Sequence, residues 1–151
     1  MGNRILNGTG YVVGFAFTPD MKNVALIRKC RVRPGFEWML GQINGLGGKI
    51  QEGELPRQAM AREFKEESGV EIPAEDWRLC GSFYRRREYE VVVFRSVSTA
   101  VLDVRTASPE EGEVKVLPVD RLHHYPTTRA MSWIIPLITY PDLCVFRVAE
   151  K

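Results

Sequence analysis

The sequence predicts an α/β fold in which helices pack on one mixed β-sheet. Three observations predict it. Runs rich in β-branched and aromatic residues occur near both ends of the chain and between them. Two segments, 55–68 and 128–139, read as helices interleaved with those runs. The chain is 151 residues long, enough for one domain with a sizeable core and short for two, so 1–151 reads as a single domain.

In chain order, GYVVGFAFT (10–18) and NVALIRKCRV (23–32) are β-rich runs joined by the turn-like PDMK, and read as an early pair of strands. Residues 33–48 hold five glycines and a proline and read as mostly loop. The helix over 55–68 has Pro56 in its first turn, where a missing N–H is harmless, and Gly69 in the left-handed position after its last turn. Residues 77–87 and 89–98 read as two further strands and 112–119 as a short one. The helix over 128–139 is expected to kink or end near Pro136, and 143–148 reads as a last strand. No internal repeat, low-complexity tract or linker interrupts the pattern.

Hydrophobic residues are 44% and charged residues 26%, ordinary for a globular protein, and a net charge of +2 is too mild to imply nucleic-acid binding. No run approaches the roughly 18 apolar residues that span a bilayer, so no membrane association is expected. The N-terminus lacks the apolar core of a secretory signal, and Asn7 occupies the place where a myristoylation signal has Ser or Thr. Cys30, Cys80 and Cys144 are odd in number, far apart and without a C-x-x-C pair, as expected of reduced thiols in a cytoplasmic protein. His123 and His124 are adjacent, so they should point in different directions from a surface loop or helix end.

The helix over 55–68 carries Glu63, Glu66 and Glu67. At about 100° per residue, with Leu55 at zero, they fall near 20° (Glu66), 80° (Glu63) and 120° (Glu67), an arc of about 100° shared with Ala59. Like charges at such spacing repel, lowering helix stability by a few tenths of a kcal/mol per pair. A solvated face accounts for the pattern, since Glu is a good helix former. A hard-cation site accounts for it too, because Mg²⁺ takes a few carboxylates, water and substrate phosphates, and glycines before the helix permit close approach.

The spacing separates these alternatives. Gly48, five residues, Glu54, seven residues and then REFKEESGV (62–70) resemble the complete Nudix box, G-x5-E-x7-R-E-U-x-E-E-x-G-U, with Phe64 and Val70 at the apolar U positions. At ordinary residue frequencies, a chance match is on the order of 10⁻¹⁰ per starting position, which sets the solvated face aside. The resemblance to the Nudix hydrolases implies their fold, a mixed β-sheet sandwiched between helices (α/β/α). It also implies hydrolysis of a nucleoside diphosphate linked to another moiety, by water and without a covalent intermediate. Mg²⁺ is the implied cofactor, with Mn²⁺ as a substitute. By the same resemblance, Glu66, Glu67 and the Gly47 carbonyl hold the metal. Glu63 is a further ligand or orients the water, and Gly48, Glu54 and Arg62 support the box. A general base comes from a later loop, with Glu113 the best match and Glu110 and Glu111 its competitors.

The segment INGLGGKIQEGE (43–54) resembles the nucleoside triphosphate pyrophosphohydrolases of the oxidised-purine type, which implies base contact by Asn44. HYPTTRAMSWIIPL (124–137) resembles the same subgroup's segment before its last helix, which implies stacking by Tyr125. Thr127 and Thr128 occupy the places of two acidic residues that read the base edge there; their hydroxyls can still hydrogen-bond. The leading expectation is therefore hydrolysis of a (d)NTP to the monophosphate and pyrophosphate. Alternatives are ADP-ribose, a dinucleotide, a nucleotide sugar or a capped RNA end as substrate, or a non-catalytic nucleotide-sensing domain. The expected partner is a small nucleotide, with nucleic acid entering only as an RNA 5′ end; arginines in 28–33 and 85–87 are candidate phosphate clamps. Monomer and homodimer remain equally open.

Overall fold

The computed structural model of the chain describes residues 8–142 and 145–151. Its centre is β1 (Thr9–Phe17), whose successive side chains enter opposite layers. Val13, Phe15 and Phe17 join one hydrophobic cluster, whereas Val12 and Ala16 join a second. The strand β2 (Asn23–Lys29) alternates likewise, sending Val24 and Leu26 to the first cluster and Ala25 and Ile27 to the second. The helix α1 (Pro56–Ser68) covers the second cluster with Ala59, Met60 and Phe64. The helix α2 (Met131–Thr139) covers the first with Met131, Ile134, Ile135 and Ile138. A sheet buried on both faces between helices is the expected α/β/α layering.

The remaining strands are β3 (Ile43–Asn44), β4 (Leu46–Lys49), β5 (Arg78–Arg85), β6 (Tyr89–Val97), β7 (Gly112–Pro118) and β8 (Phe146–Ala149). The sheet runs β3-β2-β1-β6-β5-β8, with β4 also on β1 and β7 also on β2. β1 and β6 pair in parallel from Thr9↔Tyr89 to Phe17↔Val97. β1 forks on its other side, pairing antiparallel with β4 from Tyr11↔Lys49 to Gly14↔Leu46 but with β2 only at Ala16↔Ala25 and Phe17↔Val24. The fork opens the sheet between β2 and β4, beside the C-terminal end of α1, where Glu67 meets Gly47 and Lys29. Gly14 permits α1 to close over it: a Cβ there would meet Met60 Sδ at 2.5 Å and Trp77 at 2.9 Å.

Two expectations need correction and two gain detail. Residues 33–48 are mostly loop as expected, but the short strands β3 and β4 form toward their end, where glycines let β4 press against β1. The early strands form less of a pair than expected, because β2 leaves β1 for β7, with which it pairs from Asn23↔Pro118 to Lys29↔Gly112. Pro136 lies inside α2, which ends three residues later at Thr139. His123 and His124 sit at a helix end as expected, closing the 3₁₀ segment Val119–His124, but their rings do not diverge: the centroids lie 4.1 Å apart, tilted by 40°. Leu143 and Cys144, where the last strand was expected to start, lie outside the described residues, and β8 begins at Phe146. Among the described residues, no helix is long and apolar enough to cross a membrane.

Candidate active site

The ends of α1 are fixed by short-range chemistry. The Gln58 side chain accepts a hydrogen bond from the Leu55 N–H at 3.0 Å, and Gly69 turns the chain at φ 72°. The last-turn carbonyls, which a helix cannot satisfy itself, all find donors. Gly69 N–H serves Lys65 at 2.9 Å, Ser108 Oγ serves Glu66 at 2.7 Å, Ala107 N–H serves Glu67 at 3.0 Å, and Arg105 N–H serves Ser68 at 3.0 Å. Segment 105–108, to which the sequence assigned no role, thus anchors the part of α1 that carries the glutamates.

The three glutamates share the helix face but differ in depth. Glu67 is 3% exposed, the Glu63 side chain 16% and the Glu66 side chain 54%. Glu67 Oε1 accepts from the Gly47 N–H at 2.8 Å, while Oε2 faces the Lys29 ammonium at 3.6 Å. Burial pushes its pKa up to about 7, against the pull of Lys29 and of the Gly47 hydrogen bond; Glu63 and Glu111 add to the rise. Burial also raises the pKa of Glu63, opposed chiefly by the hydrogen bond from Arg62. Gly47 is required to be glycine by contact, since a Cβ there would collide with the Val12 carbonyl; a Cβ on Gly48 would lie 2.5 Å from the Glu63 carboxyl carbon and displace that carboxylate.

Arg62 forms a two-pronged bond with Glu54, Nε to Oε2 at 2.7 Å and Nη2 to Oε1 at 2.9 Å, and Nη2 also donates to the Lys49 carbonyl at 3.0 Å. The fork holds Glu54 below the usual carboxylate range and raises Arg62 further. Arg62 Nη1 reaches Glu63 at 2.9 Å and Glu66 at 3.4 Å, offsetting the repulsion expected along this face. Among the described residues, no three His, Cys, Asp or Glu side chains converge into a ready-made cage. The donors still fit a hard divalent cation: Glu67 offers a desolvated carboxylate with one oxygen unbonded among the described residues, and Glu63 and Glu66 are on the same face.

Beside this face lies a cleft of about 530 Å³, lined by Arg28, Lys29 and Cys30 of the β2 end, Leu40, Thr106 and Glu113 among others. Glu113 is exposed on β7 and lies 3.4 Å from Lys115, and Glu111 lies 3.7 Å from Arg31. Lys29 is the residue that sequence reasoning missed: it was one member of a basic run, and only folding brings it to Glu67.

The proposed base-contacting residues gather at the β3 edge. Ile43 and Thr127 form an isolated parallel bridge, Ile43 N–H donates to Pro126 O at 2.7 Å, and Thr128 N–H donates to Ile43 O at 2.9 Å. These bonds hold Thr127 beside Ile43, the neighbour of Asn44, whose Oδ1 accepts from the Gly45 N–H at 2.8 Å. Tyr125 is 36% exposed, while Thr128 is 2% exposed with its hydroxyl unpartnered among the described residues. Only three residues separate Asn44 from Gly47, a reach of at most about 11 Å. Three of the candidate phosphate clamps have partners within the chain: Arg28, which also lines the cleft, donates to Gly41 O at 3.2 Å, Arg33 lies over the Tyr11 ring at 5.3 Å, and Arg85 pairs with Glu88 at 3.6 Å.

Residues 9–138 match the family profile of the NUDIX domain. The fold resembles that of a MutT protein from Bacillus halodurans, with a TM-score of 0.68 and 19% identity over 94% of this chain and 91% of that one. It resembles the NUDIX domain of Shewanella oneidensis NrtR, solved with ADP ribose, at 0.71 and 18% identity over 87% of this chain and 86% of that one. For a MutT NUDIX hydrolase from Burkholderia pseudomallei, the values are 0.66 and 21% over 86% and 98%. No curated protein matches the chain in sequence. At these identities, the structural likeness concerns the fold alone.

Proposed function

The chain belongs to the NUDIX domain family and is a Nudix pyrophosphohydrolase, and from that premise we propose that it cleaves a (d)NTP to the (d)NMP and pyrophosphate. One observation carries the proposal: the buried Glu67 carboxylate, held by the Gly47 N–H, lies next to a cleft of about 530 Å³ that Arg28 and Lys29 line. That volume is in the range of nucleotide-sized sites, and its basic lining suits phosphates.

Nudix hydrolases generally use divalent metal ions; here we assign Mg²⁺, with Mn²⁺ as a substitute. Glu66, Glu67 and the Gly47 carbonyl would hold it. Glu63 would be a further ligand or orient the attacking water. A cation bound there supplies a lowered pKa for water and neutralises charge on the phosphates. The rest falls to the chain itself. The Arg62–Glu54 fork and Gly48 keep α1 in register with β4. Glu113, in preference to Glu110 or Glu111, serves as general base from the cleft wall. Asn44, Tyr125 and Thr127 contact the base from the β3 edge. The unpaired thiols of Cys30 and Cys80 agree with a cytoplasmic setting.

A second substrate, ADP-ribose, is favoured by the NrtR domain's having been solved with that compound, while Thr127 and Thr128 in place of the acidic pair weigh against an oxidised purine. Retention of every box glutamate argues against a sensor without activity. A panel of (d)NTPs, oxidised purine nucleotides, ADP-ribose, a dinucleotide, a nucleotide sugar and capped RNA, each with Mg²⁺, tests the assignment. The highest kcat/KM is expected on a triphosphate. A higher value on ADP-ribose would replace the triphosphate by the second substrate.

A further inference from the structure

Lys29 is placed by its backbone, not by its side chain. Its N–H donates to Gln42 O at 3.0 Å, its carbonyl accepts from Gly41 N–H at 2.7 Å, and β7 pairs it with Gly112. These bonds fix the Cα at the mouth of the fork between β2 and β4. From there, the ammonium reaches in and ends 3.6 Å from Glu67 Oε2, with only 16% of the side chain exposed. At 3.6 Å, the contact is an ion pair without hydrogen-bond length, on a stem of four rotatable carbons. Lys29 also lines the cleft, so the same side chain has a second place to go without any backbone movement.

Two cations on one carboxylate oxygen repel each other, the more strongly as water is excluded, so each weakens the other's hold. Glu67 Oε1 is already committed to Gly47, so a divalent ion has Oε2 to compete for. Arg62 cannot take over the role of Lys29, being tied to Glu54, Lys49 O, Glu63 and Glu66. Resting on the assignment of Glu67 as a metal ligand, we infer that Lys29 is an exchangeable counterion: its ammonium competes with the metal for Glu67 Oε2, and on displacement turns into the cleft to hold a substrate phosphate. Metal and nucleotide binding are coupled through one lysine, since the ion that expels it delivers a positive charge to the phosphate site.

The test measures binding without turnover. Mn²⁺ affinity is read by electron paramagnetic resonance on metal-stripped wild type, Lys29→Met and Glu67→Gln, and a non-hydrolysable triphosphate is then titrated calorimetrically. Lys29→Met is expected to bind Mn²⁺ about five-fold more tightly and the nucleotide about ten-fold more weakly, opposite changes from one substitution. Unchanged or weaker Mn²⁺ binding in Lys29→Met, with Glu67→Gln still impaired, overturns the exchange while sparing the metal assignment. If Glu67→Gln binds Mn²⁺ as wild type does, the assignment of Glu67 falls, and the exchange with it. Should Lys29→Met fail to fold, ¹⁵N-lysine NMR on wild type decides. A protected Lys29 ammonium signal should vanish on adding Mg²⁺ and return on adding nucleotide; a signal indifferent to Mg²⁺ overturns the exchange.

Discussion

The two halves of the site are built by different means. In the half around α1, nearly every polar group has a partner: Glu54 and Arg62 fork together, Gly47 serves Glu67, and segment 105–108 completes the last helical turn. In the half around β3, the contacts are mostly backbone; among the described residues, the Asn44 side chain bonds only to its own neighbour and the buried Thr128 hydroxyl has no partner. A densely bonded region fixes carboxylates in place for chemistry common to many substrates. A loosely bonded one leaves side chains available to a particular substrate. Substitutions in the first half should therefore act on kcat and stability, and those in the second on KM.

The largest effect is expected from Glu67→Gln, which should lower kcat by roughly 10²–10³-fold. The same change sharpens the contrast through stability, because burial raises the pKa of Glu67 to about 7 from an ordinary 4.5. An acid shifted upward destabilises the fold once ionised, so the penalty is absent below the ordinary value and complete above the raised one. In metal-stripped protein above pH 7, calorimetry should find Glu67→Gln more stable by roughly 1–2 kcal/mol, and the gain should disappear toward pH 4.5.

Arg62→Ala comes next, at roughly 2–3 kcal/mol of lost stability with lowered kcat, because it strands Glu54 and frees Glu63 and Glu66 to repel. Arg62→Lys should recover only part of this, since an ammonium cannot fork. Glu54→Gln should cost up to about 1 kcal/mol, a smaller loss because the pair is partly solvated. Arg62 holds the Glu54 carboxyl below 4.5, so the gap between wild type and Glu54→Gln should be full above that pH and close as the pH falls through the depressed value. Denaturant unfolding at pH 7 and pH 3 checks the sign.

The smallest effects belong to the β3 half. Tyr125→Ala should raise KM several-fold, as loss of one base–aromatic stack would, with kcat within two-fold of wild type. Thr128→Val should be neutral or stabilising by up to about 1 kcal/mol, because it removes a hydroxyl with no partner. A kcat effect from Tyr125 as large as that from Arg62 would break the division between the halves.

The same contrast explains what was legible in the sequence. The features around Glu63, Glu66 and Glu67 lie within 23 residues and depend on fixed spacing along one helix, so the residues themselves carried the information. The sheet was legible where strands were long, as in β1 and β6, but not where β3 and β4 consist of two and four residues and glycine lowers β propensity. Lys29 was hidden because its partner lies 38 positions away and nothing between them marks the meeting. The β3 edge was hidden likewise, since Ile43 and Thr127 meet only after α1 and three further strands have been laid down. Short-range spacing is written in the chain, whereas juxtaposition across the sheet depends on the whole topology.

The most direct test of the central claim is ³¹P NMR of a (d)NTP incubated with the protein, with Mg²⁺ and with excess EDTA. Resonances of pyrophosphate and the nucleoside monophosphate are expected to grow together with Mg²⁺ and to be missing with EDTA. Orthophosphate released without pyrophosphate, or the same products at the same rate in EDTA, would contradict it.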